Sequence, residues 1–278
     1  MKKTIVTIIL FVSTLALFAC SNNENVISII ASSVPHSIIL EEARPLLIEK
    51  GYDLDITIVN DFATPNPAVA TNSADANYFQ HRPFLENFNT NVAGPNQQLV
   101  EVAPIHIEPL AAYTRKGITL SDINSSTRIL ISTSLPDRGR LLYILEQAGV
   151  IDLKEGASRL NATLEDIIEN STGVNASNFL NPVAPQLLVQ TFLAEDSVDL
   201  AFINGNFALS ADLLSNNNVS RVNGLIESPY ENPFVNILVV RQGNENLPKI
   251  QALAEILKSE FIANFIINRF GGYVVPAN

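Results

Sequence analysis

The chain has 278 residues, 47% of them hydrophobic, and a formal charge of −11. That acidity excludes a nucleic-acid footprint, which needs a basic stripe, and excludes docking on anionic lipid through the protein surface. The length suits one large core or two lobes of ordinary size, and a single cysteine, Cys20, rules out an intrachain disulfide.

Met1-Lys2-Lys3 is basic, and Thr4 to Phe18 is apolar with scattered small polar residues. The run is too short to span a bilayer as a mature helix. With the small Ala19 behind it, it predicts a signal peptide over residues 1–19. Leu17-Phe18-Ala19-Cys20 resembles a bacterial lipobox, in which the cysteine becomes the lipidated N-terminus; Phe18 stands where a small residue is usual. Multiple acyl chains would hold the protein stably on a membrane, where one chain alone is marginal. A secreted protein with a chance cysteine is the other reading. Residues 20–25 read as a polar tether. Losing Lys2 and Lys3 with the leader takes the charge from −11 to −13. No later apolar run reaches the roughly 18 residues of a membrane span.

Val26 to Ala31 predicts a strand, followed by a helix with Ile38, Ile39, Leu46 and Leu47 on one face. Pro45 is expected to kink that helix or restart it, and Gly51 to cap it. Leu54 to Val59 is a second strand, so the segment is a βαβ unit with a parallel pair. Residues 60–67 are a Pro- and Asn-rich loop, followed by a short helix to about Ser73. Leu99 to Ile107 is a strand, expected to continue through Leu110 to Thr114 past Pro109. A second unit follows. It has a strand over 128–132, a loop over 134–139 and a helix from Arg140 to Ala148. Thr163-Leu164-Glu165-Asp166 resembles a capping box opening a helix to Glu169. Further strands are expected at 179–183, 198–203, 219–225 and 235–240, with helices at 185–194 and from Asn204-Gly205 to about Leu214. One long helix should run from Pro248 to about Arg269, stopped by Gly271-Gly272. This order predicts a two-lobed α/β protein with two crossover strands. Lobe 1 takes residues 26–114 and 235–278, lobe 2 is inserted at 115–234, and a small ligand is expected in the cleft between them.

The stretch Asp75 to Glu86 gathers aromatics, an amide, an imidazole and a guanidinium within twelve residues. Asp75 to Phe79 reads as a strand and Pro83 as the first turn of a helix. Phe79-Gln80-His81 then falls at a strand-to-helix junction, where open α/β folds bind ligands. A packed corner with Phe79 and Phe84 in the core is the alternative. No nucleophile elbow, dinucleotide fingerprint or phosphate loop is present, so we expect no enzyme and no cofactor. His36, His81 and His106 lack metal-ligand spacing, and no metal is expected. Arg140, near a helix start, can grip a carboxylate with two parallel hydrogen bonds or lie solvated on a helix surface. Asn204 ends an apolar strand, where its amide can serve an ammonium or a carboxylate or simply form a turn before Gly205. Asn236 interrupts an apolar strand and needs partners.

Several segments together resemble the methionine-binding lipoproteins, the NlpA-type substrate-binding components of bacterial amino-acid ABC importers. They are Asp61-Phe62-Ala63-Thr64-Pro65-Asn66, the stretch from Asp75 to Leu85, Leu110 to Lys116, and Gly139-Arg140 with Gly149 to Lys154. Ala184 to Leu187, Ala201 to Asn204 and Asn232 to Arg241 complete the set. The resemblance covers essentially the whole mature chain. It implies a periplasmic-binding-protein type II fold closing on free L-methionine. Arg140, Asn204 and Asn236 would hold the amino-acid head group, and Phe62, Phe79, His81 and Phe84 the side chain. A thioether gains modestly from aromatic edges. Positions 62 and 84, commonly Tyr in that family, are Phe here, which makes the expected pocket drier. The expected partners are an importer permease and, through lipid on Cys20, a membrane at the periplasmic or extracellular face. We expect a monomer. Binding of a methionyl dipeptide or another apolar amino acid, or service as an adhesin, are the alternatives.

Overall fold

In the computed structural model, residues 24–277 are described, residue 217 apart. In chain order the first part comprises β1 (Val26–Ser32), α1 (Ile38–Glu49), β2 (Asp53–Val59), α2 (Pro65–Ala70), β3 (Ala76–His81), α3 (Arg82–Asn91) and β4 (Leu99–Ile107). The middle comprises β5 (Ala111–Thr114), β6 (Ile129–Leu130), α4 (Leu135–Gln147), β7 (Asp152–Leu153), β8 (Ile167–Ile168), α5 (Leu188–Ala194), β9 (Leu200–Ile203), α6 (Gly205–Ser210) and β10 (Ser220–Ile226). The chain then closes with β11 (Val235–Arg241), α7 (Pro248–Leu257), α8 (Glu260–Phe270) and β12 (Val275–Pro276).

Two main sheets result. One has the order β12-β4-β11-β3-β1-β2 and the other β10-β5-β9-β6, with β7-β8 a separate two-stranded ribbon. β1 runs parallel to both β2 and β3, as a βαβ unit requires, whereas β11 enters antiparallel between β3 and β4. Each main sheet is covered on both faces. Ile27, Ile29 and Leu238 pack toward α1, α7 and α8, and Ile237 and Val239 toward α2 and α3. In the second sheet Ile129, Ile131 and Phe202 pack with α4, while Leu130, Ala201 and Ile203 pack with α5. The fold is therefore two-lobed α/β, joined at residues 108–110 and 227–234.

Several expectations need correction. Residues 110–114 do not prolong β4; β5 pairs with β10 and β9 in the second sheet, so the first crossover lies at 108–110 and not at the expected boundary after 114. Pro109 cannot donate to a ladder, which ends one sheet and frees the chain to enter the other. Pro45 does not break α1. It sits on the exposed face, so the Glu41 carbonyl that it leaves unbonded is turned to solvent. The expected loop over 134–139 is the first turn and a half of α4. The Thr163–Asp166 capping box forms but caps only a 3-10 turn, Leu164–Asp166, before β8. Residues 179–183 make only isolated bridges to Ile129 and Ser132. The long C-terminal helix is two helices, because the Ser259 hydroxyl accepts the Ile262 N–H and starts α8 afresh.

Candidate functional site

The site is assembled from strand ends and helix starts on both sides of the crossovers. β3 carries Phe79, Gln80 and His81 to its C-terminal end, and His81 is also the N-cap of α3, its Nδ1 accepting the Phe84 N–H at 3.2 Å. That backbone bond sets the tautomer: Nδ1 accepts, so Nε2 carries the proton. Phe62, from the loop after β2, closes a ring cluster with Phe79 and Phe84 at centroid distances of 6.2 and 5.8 Å. Phe79 and Phe84 meet edge to face at 5.8 Å, a favourable arrangement of aromatic quadrupoles. From the second lobe, Phe207 of α6 reaches Phe62 at 5.3 Å.

Opposite the rings lies a charged wall. α4 places Asp137 and Arg140 three residues apart on one face, and both are buried, at 3% and 2% exposure. Arg140 Nε donates to Glu227 at 2.8 Å, Nη2 donates to Glu227 and to the Glu108 carbonyl, and the guanidinium lies over the Phe234 ring at 4.7 Å. Only Nη1 lacks a short partner; Asp137 Oδ1 is 3.5 Å from it. Asn204, N-cap of α6, donates through Nδ2 to Asp137 Oδ2 at 3.0 Å. His81 Nε2 stands 3.5 Å from Asp137 Oδ1, across the lobes. Burial works to raise the Asp137 carboxyl, but the His81 N–H, the Arg140 charge and the Asn204 amide together hold it well below the usual carboxylate range.

Behind this wall runs a buried polar chain. Asn236 Oδ1 accepts from His36 Nε2 at 3.0 Å, and His36 Nδ1 is bonded to the Ser32 hydroxyl. His106 Nε2 donates to Glu108 Oε1 at 2.9 Å, with Tyr78 on the other ring nitrogen. Glu108 Oε2 accepts the Asn206 N–H at 2.9 Å. Burial lowers His36 to about 4 and His106 to about 3, and raises the Glu108 carboxyl and the Tyr78 phenol. His36, His106 and Glu108 bring their donor atoms within 4.8 Å of one another, although their sequence spacing did not suggest it. Their nitrogens and carboxylate oxygens already have protein partners, as the bonds above show.

Phe62, Phe79, His81, Phe84, Arg140, Asn204 and Asn236, all expected from sequence, line one cleft with about 410 Å³ of atom-free space, part of it open to solvent. Gln80, Glu108, Asp137 and Asn206 line it too. Arg140 is not solvated on a helix surface, and its guanidinium is already forked onto Glu227, which leaves Nη1 toward Asp137. Arg82 is turned elsewhere, paired through two bonds to Glu101. Sequence reading missed the acids Glu108, Asp137 and Glu227. Asp137 was legible in principle: Pro136 before an acid is a helix-start signal, and a helix from there puts Asp137 on the Arg140 face. Cys20 and the leader lie outside the described residues. Among those residues no helix is long and apolar enough to cross a membrane.

Two α/β lobes joined by two crossovers, with a cleft that has apolar rings on one wall and charges on the other, define a substrate-binding protein of the two-lobe type. The NlpA lipoprotein family model matches residues 27–278, and the chain belongs to that family. The methionine-binding lipoprotein MetQ of Bacillus subtilis is 34% identical over the full length of both chains. Lipoprotein Tp32 of Treponema pallidum superposes with a TM-score of 0.77 at 31% identity, covering 91% of this chain and 99% of its own. A nutrient-binding protein of Burkholderia cenocepacia, solved bound to methionine, superposes at 0.78 with 26% identity, covering 91% and 100%.

Proposed function

We propose that this protein is the substrate-binding lipoprotein of an ABC importer, capturing L-methionine between its lobes and presenting it to a membrane permease. It binds and releases its ligand unchanged and acts as a monomer anchored through lipid on Cys20. The observation that carries this reading is the polarity of the cleft. Phe62, Phe79 and Phe84 make a dry end suited to a thioether, while Arg140, Asn204 and Asn236 gather at the other end, suited to an amino-acid head group. The relatives named for methionine binding support the same ligand. The rings and Asn236 come from the first lobe and Arg140 and Asn204 from the second, so a ligand touching both favours the closed form, and closure is the signal a permease can read.

Native mass spectrometry of the lipid-free protein tests this first: a bound mass equal to methionine is expected, since tight binders often carry their ligand through purification. Competitive calorimetry then compares L-methionine with L-glutamine. The glutamine amide would be unpaired against phenyl rings, at a cost of about 1–3 kcal/mol. Glutamine binding as tightly as methionine would remove the aromatic pocket from the reading. An empty protein that no amino acid stabilises against heat would remove the function.

A further inference from the structure

Two buried carboxylates, Glu108 and Asp137, line the cleft and a third, Glu227, pairs with Arg140 of its wall; they differ in what they still lack. Glu227 has both oxygens on Arg140, and Oε2 also accepts the Leu110 N–H. Glu108 has Oε1 on His106 and Oε2 on the Asn206 N–H, each at 2.9 Å. Asp137 has Oδ2 on Asn204 at 3.0 Å, but Oδ1 has only Arg140 Nη1 and His81 Nε2, both at 3.5 Å. That is the outer edge of hydrogen bonding, so Oδ1 is held by the Arg140 charge without a donor at ordinary hydrogen-bond length. A buried, ionised oxygen without a close donor is costly, and Asp137 lines the cleft.

We propose that Asp137 is the acceptor for the ligand's α-ammonium and makes the site demand a protonated amine. The inference rests on the amino-acid-binding reading above and extends it to a residue outside the set expected from sequence. The geometry supplies the complement of an amino-acid head group. Arg140 Nη1 and Asp137 Oδ1 form a slack plus–minus pair at 3.5 Å. A ligand laid against it with its carboxylate on Nη1 and its ammonium on Oδ1 exchanges one long contact for two charge-assisted bonds of ordinary length. His81 Nε2 stays beside Oδ1 from the other lobe, so the ammonium is enclosed only when the lobes meet. Asn204 and Asn236 are neutral, and neither can distinguish an ammonium from a hydroxyl by charge; Asp137 can.

The test compares L-methionine with its 2-hydroxy analogue, in which –OH replaces –NH3+, by calorimetry on wild type and Asp137→Asn. Wild type should prefer methionine by roughly 30-fold or more, as for a charged partner left buried and unpaired. In Asp137→Asn the preference should fall below about fivefold, chiefly through weaker methionine binding. A structural role alone would weaken both ligands equally and leave the ratio intact, which overturns the proposal. If the variant does not fold, as read by circular dichroism, wild type alone decides: equal affinity for the two ligands overturns it, and the preference stated above supports it. A wild type that binds the hydroxy acid and methionine alike still leaves the binding function standing. A wild type that binds neither removes both.

Discussion

Arg140 shows how a correct residue can carry a wrong environment. Its type and its place after Gly139 mark a guanidinium near a cleft, yet nothing local reveals that Glu227, 87 residues away in sequence, is its partner. Glu227 escapes for the same reason, being defined by contacts between distant segments, whereas the seven expected residues sit in short segments that resemble a family. The partner changes the energetics. Arg140→Ala would strand Glu227 at 7% exposure without its counter-charge, so the ligand-free fold itself should lose about 3–5 kcal/mol, the usual result of breaking one side of a buried ion pair. Methionine binding should weaken as well. Arg140→Lys should recover part of both losses, because an ammonium cannot reproduce the fork. Urea unfolding of the ligand-free variants measures it. An Arg140→Ala midpoint unchanged from wild type would mean that the Glu227 pair contributes nothing.

At the level of elements, periodicity located the longer strands and helices, while the two-residue strands β7, β8 and β12 are too short to show a period, and other misses fall where a local signal has two meanings. Gly139 is the instructive one. Glycine ahead of an apolar helix suggests a loop, but here it lies inside α4, and its reason is proximity: a Cβ would come 2.9 Å from the Arg159 carbonyl oxygen and 3.2 Å from the Ala162 nitrogen. Both are backbone atoms, which cannot rotate away. Gly139→Ala should therefore destabilise the protein by about 1–3 kcal/mol, as overpacking does, despite alanine's better helix propensity. A thermal melt of the variant decides this, and a rise in midpoint would show that propensity wins. The same α4 turn carries Asp137 and Arg140, so relaxation of the Arg159 segment should weaken methionine binding in this variant too. The break at Ser259 was legible only as a serine followed three residues later by an apolar position, a pattern too common to stop a helix on paper.

For the whole molecule, the two-lobed plan was legible because βαβ order and two apolar runs at 99–107 and 235–240 constrain the topology. The crossover boundaries were not, because Pro109 can continue or end a strand and only sheet partners decide. Attachment to a membrane is argued from the leader: Cys20→Ser should release the protein from membranes or leave it unprocessed, as fractionation would show, and equal retention of mature-length wild type and variant would remove the anchor.

The buried chain behind the cleft gives the molecule a pH response whose sign can be worked out. Ser32, His36, Tyr78, His106 and Asn236 belong to the first lobe, Glu108 to the crossover and Asn206 to the second lobe. Burial lowers His36 to about 4 and His106 to about 3 from an ordinary 6.5, so both rings are neutral in the fold. Below pH 6.5 the unfolded chain takes up protons that the folded chain refuses, and stability falls as pH drops toward those folded values. Glu108 acts in the opposite sense, since burial raises its carboxyl and the fold accepts that proton before the unfolded chain does. Two rings outweigh one carboxyl. Between pH 7 and 5 the carboxylates held low, Asp137 among them, remain ionised in both states and contribute no slope. Ligand-free protein should thus lose stability steadily over that window, approaching about 1.4 kcal/mol per pH unit for each net proton. His106→Gln removes one of the two rings and should flatten the profile. Chemical denaturation at half-unit pH steps measures both. A wild-type profile that is flat or rises toward pH 5 would show that Glu108 offsets the histidines fully, and that the chain behind the cleft does not oppose protonation.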